Sequence, residues 1–456
     1  MSVPQDDTAF SPTLRRLGPH SRRAFLGGLA TTLALPAWAQ VLPSNPDVVV
    51  VGAGAAGLAA ARELIGRGLT VVVVEAQGRI GGRAWTESET FGLPFDRGCS
   101  WLHNADRNPF KDMADDWGYE TLQHDDAEDR LFVGNRPASD EERARLARAG
   151  ERLYRAIADA GRRGRDVSAA SVSPRDMPWI EVAEAWMGPL EMAVDLEDLS
   201  CTDWWSLDDS EPNYLVKEGF GTLVARYGQG LPVQLGTPAE AIRWDGAGVT
   251  VETASGGIAG KACIVTVSTG VLGAGGIRFD PPLPDWKAEA ISAVPMGLLA
   301  KIPLQFQGTR FDLPENGWLA YHVESREACY FLGWPFGTDL MIGFVGGDFA
   351  WDLTRVGTEA AVDFGLQELR KIFGSAVDTH FVKGSFTTWG ADPWTLGGYA
   401  NARPGKAHLR ADLSKPVGDR VFFAGEACAG GLALTCGGAF LNGQAVARDV
   451  ARRVKA

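Results

Sequence analysis

Apolar residues are grouped along this chain in two ways. Val48–Val51 and Val71–Val74 are unbroken β-branched runs, the pattern of short strands buried on both faces of a parallel sheet. The Ala- and Leu-rich stretch from Gly57 to about Arg67 predicts the helix that crosses between them. The same grouping returns at Leu231–Leu235, Ala241–Trp244, Val249–Thr253 and Ala262–Val267, which read as further strands. Residues 111–215 have another texture. Ser139-Asp-Glu-Glu142 is a capping-box sequence, Leu146, Leu153, Tyr154 and Ile157 follow at helical spacing, and Gly161 is expected to end that helix. Alternation resumes at Cys329–Leu332 and Leu340–Phe344, and a helical pattern covers Glu359–Phe373. No internal repeat or low-complexity linker interrupts this order. The pattern and a length of 456 residues predict an α/β chain of about two domains or more.

Between the two valine runs lies Gly52-Ala-Gly54-Ala55-Ala56-Gly57. Gly52 permits a tight turn, Gly54 lets backbone approach a pyrophosphate, and Gly57 lets the helix pack on the sheet. The helix N-terminus turns partial positive charge toward the phosphates. Glu75, followed by Ala76, closes the second run and can accept hydrogen bonds from ribose hydroxyls. Strand, loop, helix, strand and acid in that order make a Rossmann-type dinucleotide site. A glycine-rich turn in an ordinary parallel sheet leaves Glu75 unexplained. Arg79-Ile-Gly81-Gly82-Arg83 then brings two arginines that can reach phosphate.

A net charge of −13 argues against nucleic acid, which needs a basic footprint. It suits solubility, and it also suits steering of a cationic substrate. Six cysteines include no CxxC pair, so no metal site is expected. Ser21-Arg22-Arg23-Ala24-Phe25-Leu26 looks like a twin-arginine export signal. The apolar stretch Phe25–Ala37 is too short to span a bilayer, and Ala37-Trp38-Ala39 suits cleavage before Gln40. Residues 1–39 are therefore expected to be a signal peptide for the twin-arginine export machinery. The mature protein is expected in the periplasm with no stable membrane span. That oxidising destination permits a disulfide, but no pairing is legible.

The R-x-G-G-R run after Glu75 resembles the flavin-binding signature of the amine oxidase family, the relatives of monoamine and polyamine oxidases. The resemblance extends over most of residues 47–450. It implies FAD, held by a Rossmann-type domain beside an α+β substrate domain with a mixed sheet, an architecture shared with p-hydroxybenzoate hydroxylase. The implied FAD-binding segments are 40–110, 216–300 and 389–456, and the substrate-binding segments are 111–215 and 301–388. Gly98-Cys99-Ser100-Trp101-Leu102-His103 resembles a polyamine oxidase segment that passes the flavin and the substrate channel. His103 is then either a site residue or a solvated loop histidine. Val233 is implied beside the adenine. Gly425-Glu426, and Gly438-Ala439 on a glycine-led helix, are implied at phosphate and flavin oxygens.

Gly297-Leu-Leu-Ala-Lys301-Ile resembles the segment whose lysine holds a water against the flavin in those oxidases. Its apolar neighbours suggest burial, whereas the rival Lys287 falls in a polar helix start. A cation there stabilises negative charge on reduced flavin. Trp389 and Tyr399 match residues beside the flavin and in the aromatic cage that guides the amine. Gly398 stands where monoamine oxidases join a cysteine to FAD, so non-covalent FAD is implied. Thr435 falls at the second cage wall, where monoamine oxidases have tyrosine, which leaves room for a longer or bulkier amine. Trp179, Trp186, Trp204 and Trp205 are open between core and pocket. The implied reaction removes a hydride from an amine, and the imine hydrolyses. Dioxygen, with release of peroxide, or a periplasmic carrier takes the electrons. A polyamine is the first substrate expected, its distal ammonium groups paired with acids of residues 111–215. A cyclic or aromatic amine is the rival. An amino acid, a flavin desaturase reaction and a non-catalytic assembly role stand behind these.

Overall fold

The computed structural model describes residues 43, 45–208 and 211–455. The twin-arginine sequence and its cleavage site lie outside the described residues. Val48–Val51 (β1), Val71–Val74 (β2), Val233–Gln234 (β3), Ala262–Val265 (β4) and Val421–Phe423 (β5) form a parallel sheet in the order β3-β2-β1-β4-β5. Val48, Val50, Val71 and Val73 face helices Ala55–Gly66 (α1) and Cys436–Lys455. Val49, Val51, Val72 and Val74 pack against Ile242, Val249 and Val251 on the other face. Both faces are dry, so no polar residue alternates in these runs. Each buried valine contributes about 1.5–3 kcal/mol of apolar transfer.

Element ends differ from the sequence reading for local reasons. α1 starts at Ala55 rather than Gly57, with Gly54 in extended backbone as its N-cap. A Cβ on Gly57 would lie 1.9 Å from Gly52 O, so this position admits only glycine. The strand expected over 231–235 shortens to β3. The strand expected to reach Val267 stops at Val265, because Thr266 turns its hydroxyl back to Val51 O at 2.8 Å. Helix Asp140–Arg162 (α2) has the capping box. It runs through Gly161 rather than ending there. Gly161 is a close contact, since a Cβ would lie 2.4 Å from Cys201 O.

A second, seven-stranded sheet runs in the order 381–384, 299–306, 340–346, 330–333, 317–321, 129–133, 136–137. It is mixed: Gly317–Tyr321 pairs parallel with Asp129–Val133, and the remaining neighbours pair antiparallel. Lys301, Phe344 and Tyr330 stand in one register row, and Leu332 pairs with Trp318 two residues along. Period-2 alternation puts these side chains on one face. Ile302 and Leu304 point the other way, toward helix Thr358–Phe373. Both faces are covered, which explains the nearly continuous burial of Leu299–Phe306. Among the described residues no helix is long and apolar enough to cross a membrane.

Lys287 overturns an expectation. It lies in helix Asp285–Ala293, yet it is fully buried rather than part of a polar helix start. Its Nζ donates to the carbonyls of Asp412, Leu413 and Lys415 at 2.8, 2.8 and 2.6 Å. The partners are backbone oxygens far along the chain, which leave no charge pattern to read.

Candidate active site

The glycine loop ends at the N-terminus of α1, which has no side-chain cap and no acid in its first turn. Glu75, at the end of β2, is buried. Its Oε2 accepts from Ala53 N at 2.7 Å and its Oε1 from Gln77 N at 2.8 Å. Burial pushes its carboxyl upward, against those two hydrogen bonds. β3 brings Val233 beside it, because Glu75 N donates to Gln234 O at 2.9 Å. Gly81 N donates to Ala53 O at 2.8 Å, which docks the Arg79–Arg83 turn on the loop. Ala76, directly after Glu75, is partly exposed.

The two arginines of the turn are occupied by protein. Arg79 Nη1 donates to Gly82 O at 2.8 Å, and its guanidinium lies 4.3 Å over the Trp85 ring. Burial lowers its pKa to about 10. Arg83 Nη1 donates to Gly398 O at 2.6 Å and to Glu426 Oε1 at 2.9 Å. Glu426 is buried and its other oxygen accepts from Ala400 N at 3.4 Å. The cleft at the carboxyl ends of β4 and β5 is lined by Arg83, Thr266, Ser268, Gly425 and Glu426, where open parallel sheets bind ligands. Another concavity, at Arg62, Arg67, Tyr227 and Gln444, shares none of these residues.

Lys301 occupies the opposite end of the site. It is 5% exposed, and its Nζ donates to Asp96 O at 2.7 Å, Gly98 O at 2.6 Å and Ser100 Oγ at 2.5 Å. Its three ammonium protons thus meet three protein oxygens. Burial lowers its pKa to about 8, opposed by the Asp96 carboxylate. Trp389 is buried, donates from Nε1 to Arg97 O at 2.9 Å, and meets Trp85 edge-on at 6.2 Å. Tyr399 is half-buried, and its hydroxyl donates to Glu191 O at 2.8 Å. Gly397–Ala400 lies along Met296–Leu298: Gly398 N donates to Gly297 O and Gly297 N to Tyr399 O, each at 2.8 Å. That pairing brings Tyr399 to the start of the lysine strand.

The sequence model described as "Flavin containing amine oxidoreductase" matches residues 55–451. The chain belongs to this family. It is therefore a flavin-dependent enzyme that oxidises an amine. It is 29% identical over 464 residues to polyamine oxidase 4 of Oryza sativa subsp. japonica, with 92% of each chain covered. It is 31% identical to probable polyamine oxidase 4 of Arabidopsis thaliana over 90% of this chain and 88% of that one. The cyclohexylamine oxidase of Brevibacterium oxydans IH-35A shares the fold at a TM-score of 0.75, 23% identity, with 90% and 100% covered.

The residues of this amine oxidase suit the FAD that the family implies. α1 offers uncapped backbone N–H groups to a phosphate. Gly54 and Gly82 approach so closely that a Cβ on Gly82 would lie 3.2 Å from Gly54 Cα. Not every expected residue offers its functional group to a ligand. The Thr435 hydroxyl caps the Cys436–Lys455 helix, accepting from Gly438 N at 2.9 Å and donating to Leu432 O at 2.8 Å. Only its small volume is left to shape a cavity. Gly438 and Ala439 are buried in that helix. His103 is exposed, with Nδ1 3.0 Å from Asn213 Oδ1. Trp179 packs on His322 at 4.5 Å, Trp204 on Tyr154 at 6.1 Å, and Trp205 is 46% exposed.

Sequence reasoning named Trp101 and Trp186 but missed the aromatic wall they join next to Lys301. Trp101 stacks on Trp318 at 5.9 Å, Trp186 meets Trp318 at 5.3 Å and Tyr330 at 5.6 Å, and Phe344 touches both Trp101 and Trp318. His124 anchors the wall: its Nδ1 accepts from Trp101 Nε1 at 3.2 Å and its Nε2 lies 2.7 Å from Asn316 O. Burial lowers its pKa, so the ring stays neutral. For Trp318 the signal available was its alternation with buried Leu319 in the strand.

Proposed function

We propose that this amine oxidase binds FAD non-covalently and carries out oxidative deamination or cleavage of an amine. The carrying observation is the buried Lys301 ammonium, held by the 96–100 segment beside the aromatic wall. Bound FAD supplies the acceptor for the hydride that leaves the amine α-carbon. The chain supplies position and charge. Gly52, Gly54–Gly57 and Glu75 hold the dinucleotide end, with Arg79, Gly81–Arg83, Val233 and Gly425–Glu426 completing it. Gly98–Trp101, Trp389 and Tyr399 exclude water and orient the neutral amine. Lys301 stabilises developing negative charge. The imine then hydrolyses, and dioxygen takes the electrons as peroxide. We divide the chain into FAD-binding segments 40–110, 216–300 and 389–456 and substrate-binding segments 111–215 and 301–388.

A polyamine substrate is supported by the names of the relatives. A cyclic or aromatic amine is a second reading, favoured by the wall of Trp101, Trp186, Trp318 and Phe344. Three of the acids expected to meet a distal ammonium already have partners. Asp208 pairs with Arg107 at 2.9 Å, Glu197 with Arg326, and Asp125 binds Asn213. Anaerobic mixing of the holoprotein with spermidine, putrescine, a secondary cyclic amine and an aromatic monoamine decides between them. Bleaching of the flavin by one class names it. An unchanged oxidised spectrum with all of them, in protein that dithionite reduces, removes the reading. Admitting air or a cytochrome identifies the acceptor. Residues 1–39 are proposed to direct export by the twin-arginine route, and a periplasmic product starting at Gln40 is the expected result. Cytoplasmic retention of the intact chain would remove that address.

A further inference from the structure

A buried ion pair holds the segment that carries Tyr399. Arg410 opens the short helix Arg410–Leu413, and Asp203 lies in helix Cys201–Trp205, 207 residues earlier. Arg410 Nε donates to Asp203 Oδ1 and Nη2 to Oδ2, each at 2.6 Å. The two side chains are 8% and 1% exposed, so this two-pronged contact is shielded from water and salt. Asp203, one of the acids expected to meet a substrate ammonium, meets a guanidinium instead.

The remaining bonds of the pair run to backbone beside two site residues. Arg410 Nη2 donates to Ala400 O at 2.9 Å and Nη1 to Ala427 O at 3.1 Å. Asp203 Oδ2 accepts from Ala402 N at 2.8 Å. Ala400 follows Tyr399, and Ala427 follows Glu426. Asn401 adds to the hold, with N donating to Pro295 O at 3.0 Å and Nδ2 to Met192 O at 2.8 Å. Met192 is next to Glu191, whose carbonyl accepts from the Tyr399 hydroxyl. Burying two charges is a costly route to stability alone, because both must leave water. What the pair adds is geometry: a planar fork and a carboxylate fix three backbone groups in two separate segments.

We propose that Asp203 and Arg410 are positioning residues, which hold Tyr399 and Glu426 in fixed relation and thereby set the affinity for the amine. The hold on residues 399–402 stands on the bonds just given. Its effect on the amine rests on the role proposed above for Tyr399. Arg410→Lys is the informative change. It keeps a positive charge beside Asp203, but an ammonium cannot span the two carboxylate oxygens and both carbonyls as the guanidinium does.

The test uses the full-length holoprotein carrying Arg410→Lys. Hydrogen exchange is read by mass spectrometry without any amine. Exchange at the amides of 400–402 should be about tenfold faster, the scale of one lost hydrogen bond, and unchanged in β1 and β2. Unchanged exchange at 400–402 overturns the proposal. So does a rise throughout the chain, which would make the pair a general brace. Flavin bleaching by spermidine, and in parallel by benzylamine, is then followed without oxygen. The amine concentration that gives half the maximal bleaching rate should rise about tenfold, with the limiting rate changed less. The same change made in Tyr399→Ala should raise that concentration no further, because the residue it acts through is gone. Equal effects in both backgrounds overturn the link to Tyr399. Where Arg410→Lys yields no holoprotein, Asp203→Asn is read in the same way. If neither amine bleaches the wild type while exchange at 400–402 responds as expected, the result supports the hold and counts against the oxidase reading.

Discussion

Two buried lysines of this molecule have almost the same surroundings, and different ends are proposed for them. Lys287 and Lys301 each donate to three oxygens, and burial lowers each pKa to about 8. Lys287 also lies 4.1 Å over the Phe423 ring. All three of its acceptors are backbone carbonyls, fixed in place by the chain turn they close. One of the three around Lys301 is the side-chain hydroxyl of Ser100. A lowered lysine pKa therefore does not mark a catalytic lysine here. What sets Lys301 apart, on the function proposed above, is its side-chain acceptor and the neighbouring aromatic wall.

Four experiments break or sharpen this comparison. The largest effect is expected for Lys301→Met, which should slow flavin reoxidation by dioxygen about 10²-fold. Stopped-flow absorbance checks it, and wild-type reoxidation would strip Lys301 of its role. Lys287→Met should leave reoxidation per bound flavin unchanged and lower stability by about 3 kcal/mol, since three carbonyls lose their donor. A denaturant titration that shows no shift would mean those carbonyls find other donors. Ser100→Ala should cost about tenfold in reoxidation, the scale of one hydrogen bond to a charged group.

The pH dependence tests both lysines at once. Reoxidation should fall as pH rises through about 8, because the Lys301 ammonium loses its proton there. Stability should move the other way. The folded lysines hold fewer protons than the unfolded chain between about 8 and the ordinary 10.5, so stability rises with pH across that window. Lys287→Met should flatten part of that rise in melting temperature, and an equal slope in the variant would exclude Lys287 as its source.

The difference between the lysines also shows what a sequence can carry. β1, α1, β2 and Glu75 were legible because everything they need lies within one short stretch. Their all-valine runs state that both faces are buried. Lys301 was legible only through its resemblance to a known segment. Its acceptors come from Asp96, Gly98 and Ser100, about 200 residues earlier in the chain. Lys287 was misread for the same reason, with partners more than a hundred residues later. The aromatic wall joins Trp101 and Trp186, both named from the sequence, to Trp318, Tyr330 and Phe344, which are unremarkable in their own segments. Their meeting depends on a sheet register that periodicity does not set.

The Arg83–Glu426 pair spans 343 residues and fixes an order of events during synthesis. The glycine loop and its arginine turn leave the ribosome early, but the acid that seats Arg83 comes long afterwards. β5, on the edge of the same sheet, arrives at about the same time. A nascent chain therefore exposes a half-built cradle for most of its translation. With the cleft assigned to FAD as proposed above, loading waits for the nearly finished polypeptide, and a truncation before residue 420 should be translated in full yet emerge without its flavin.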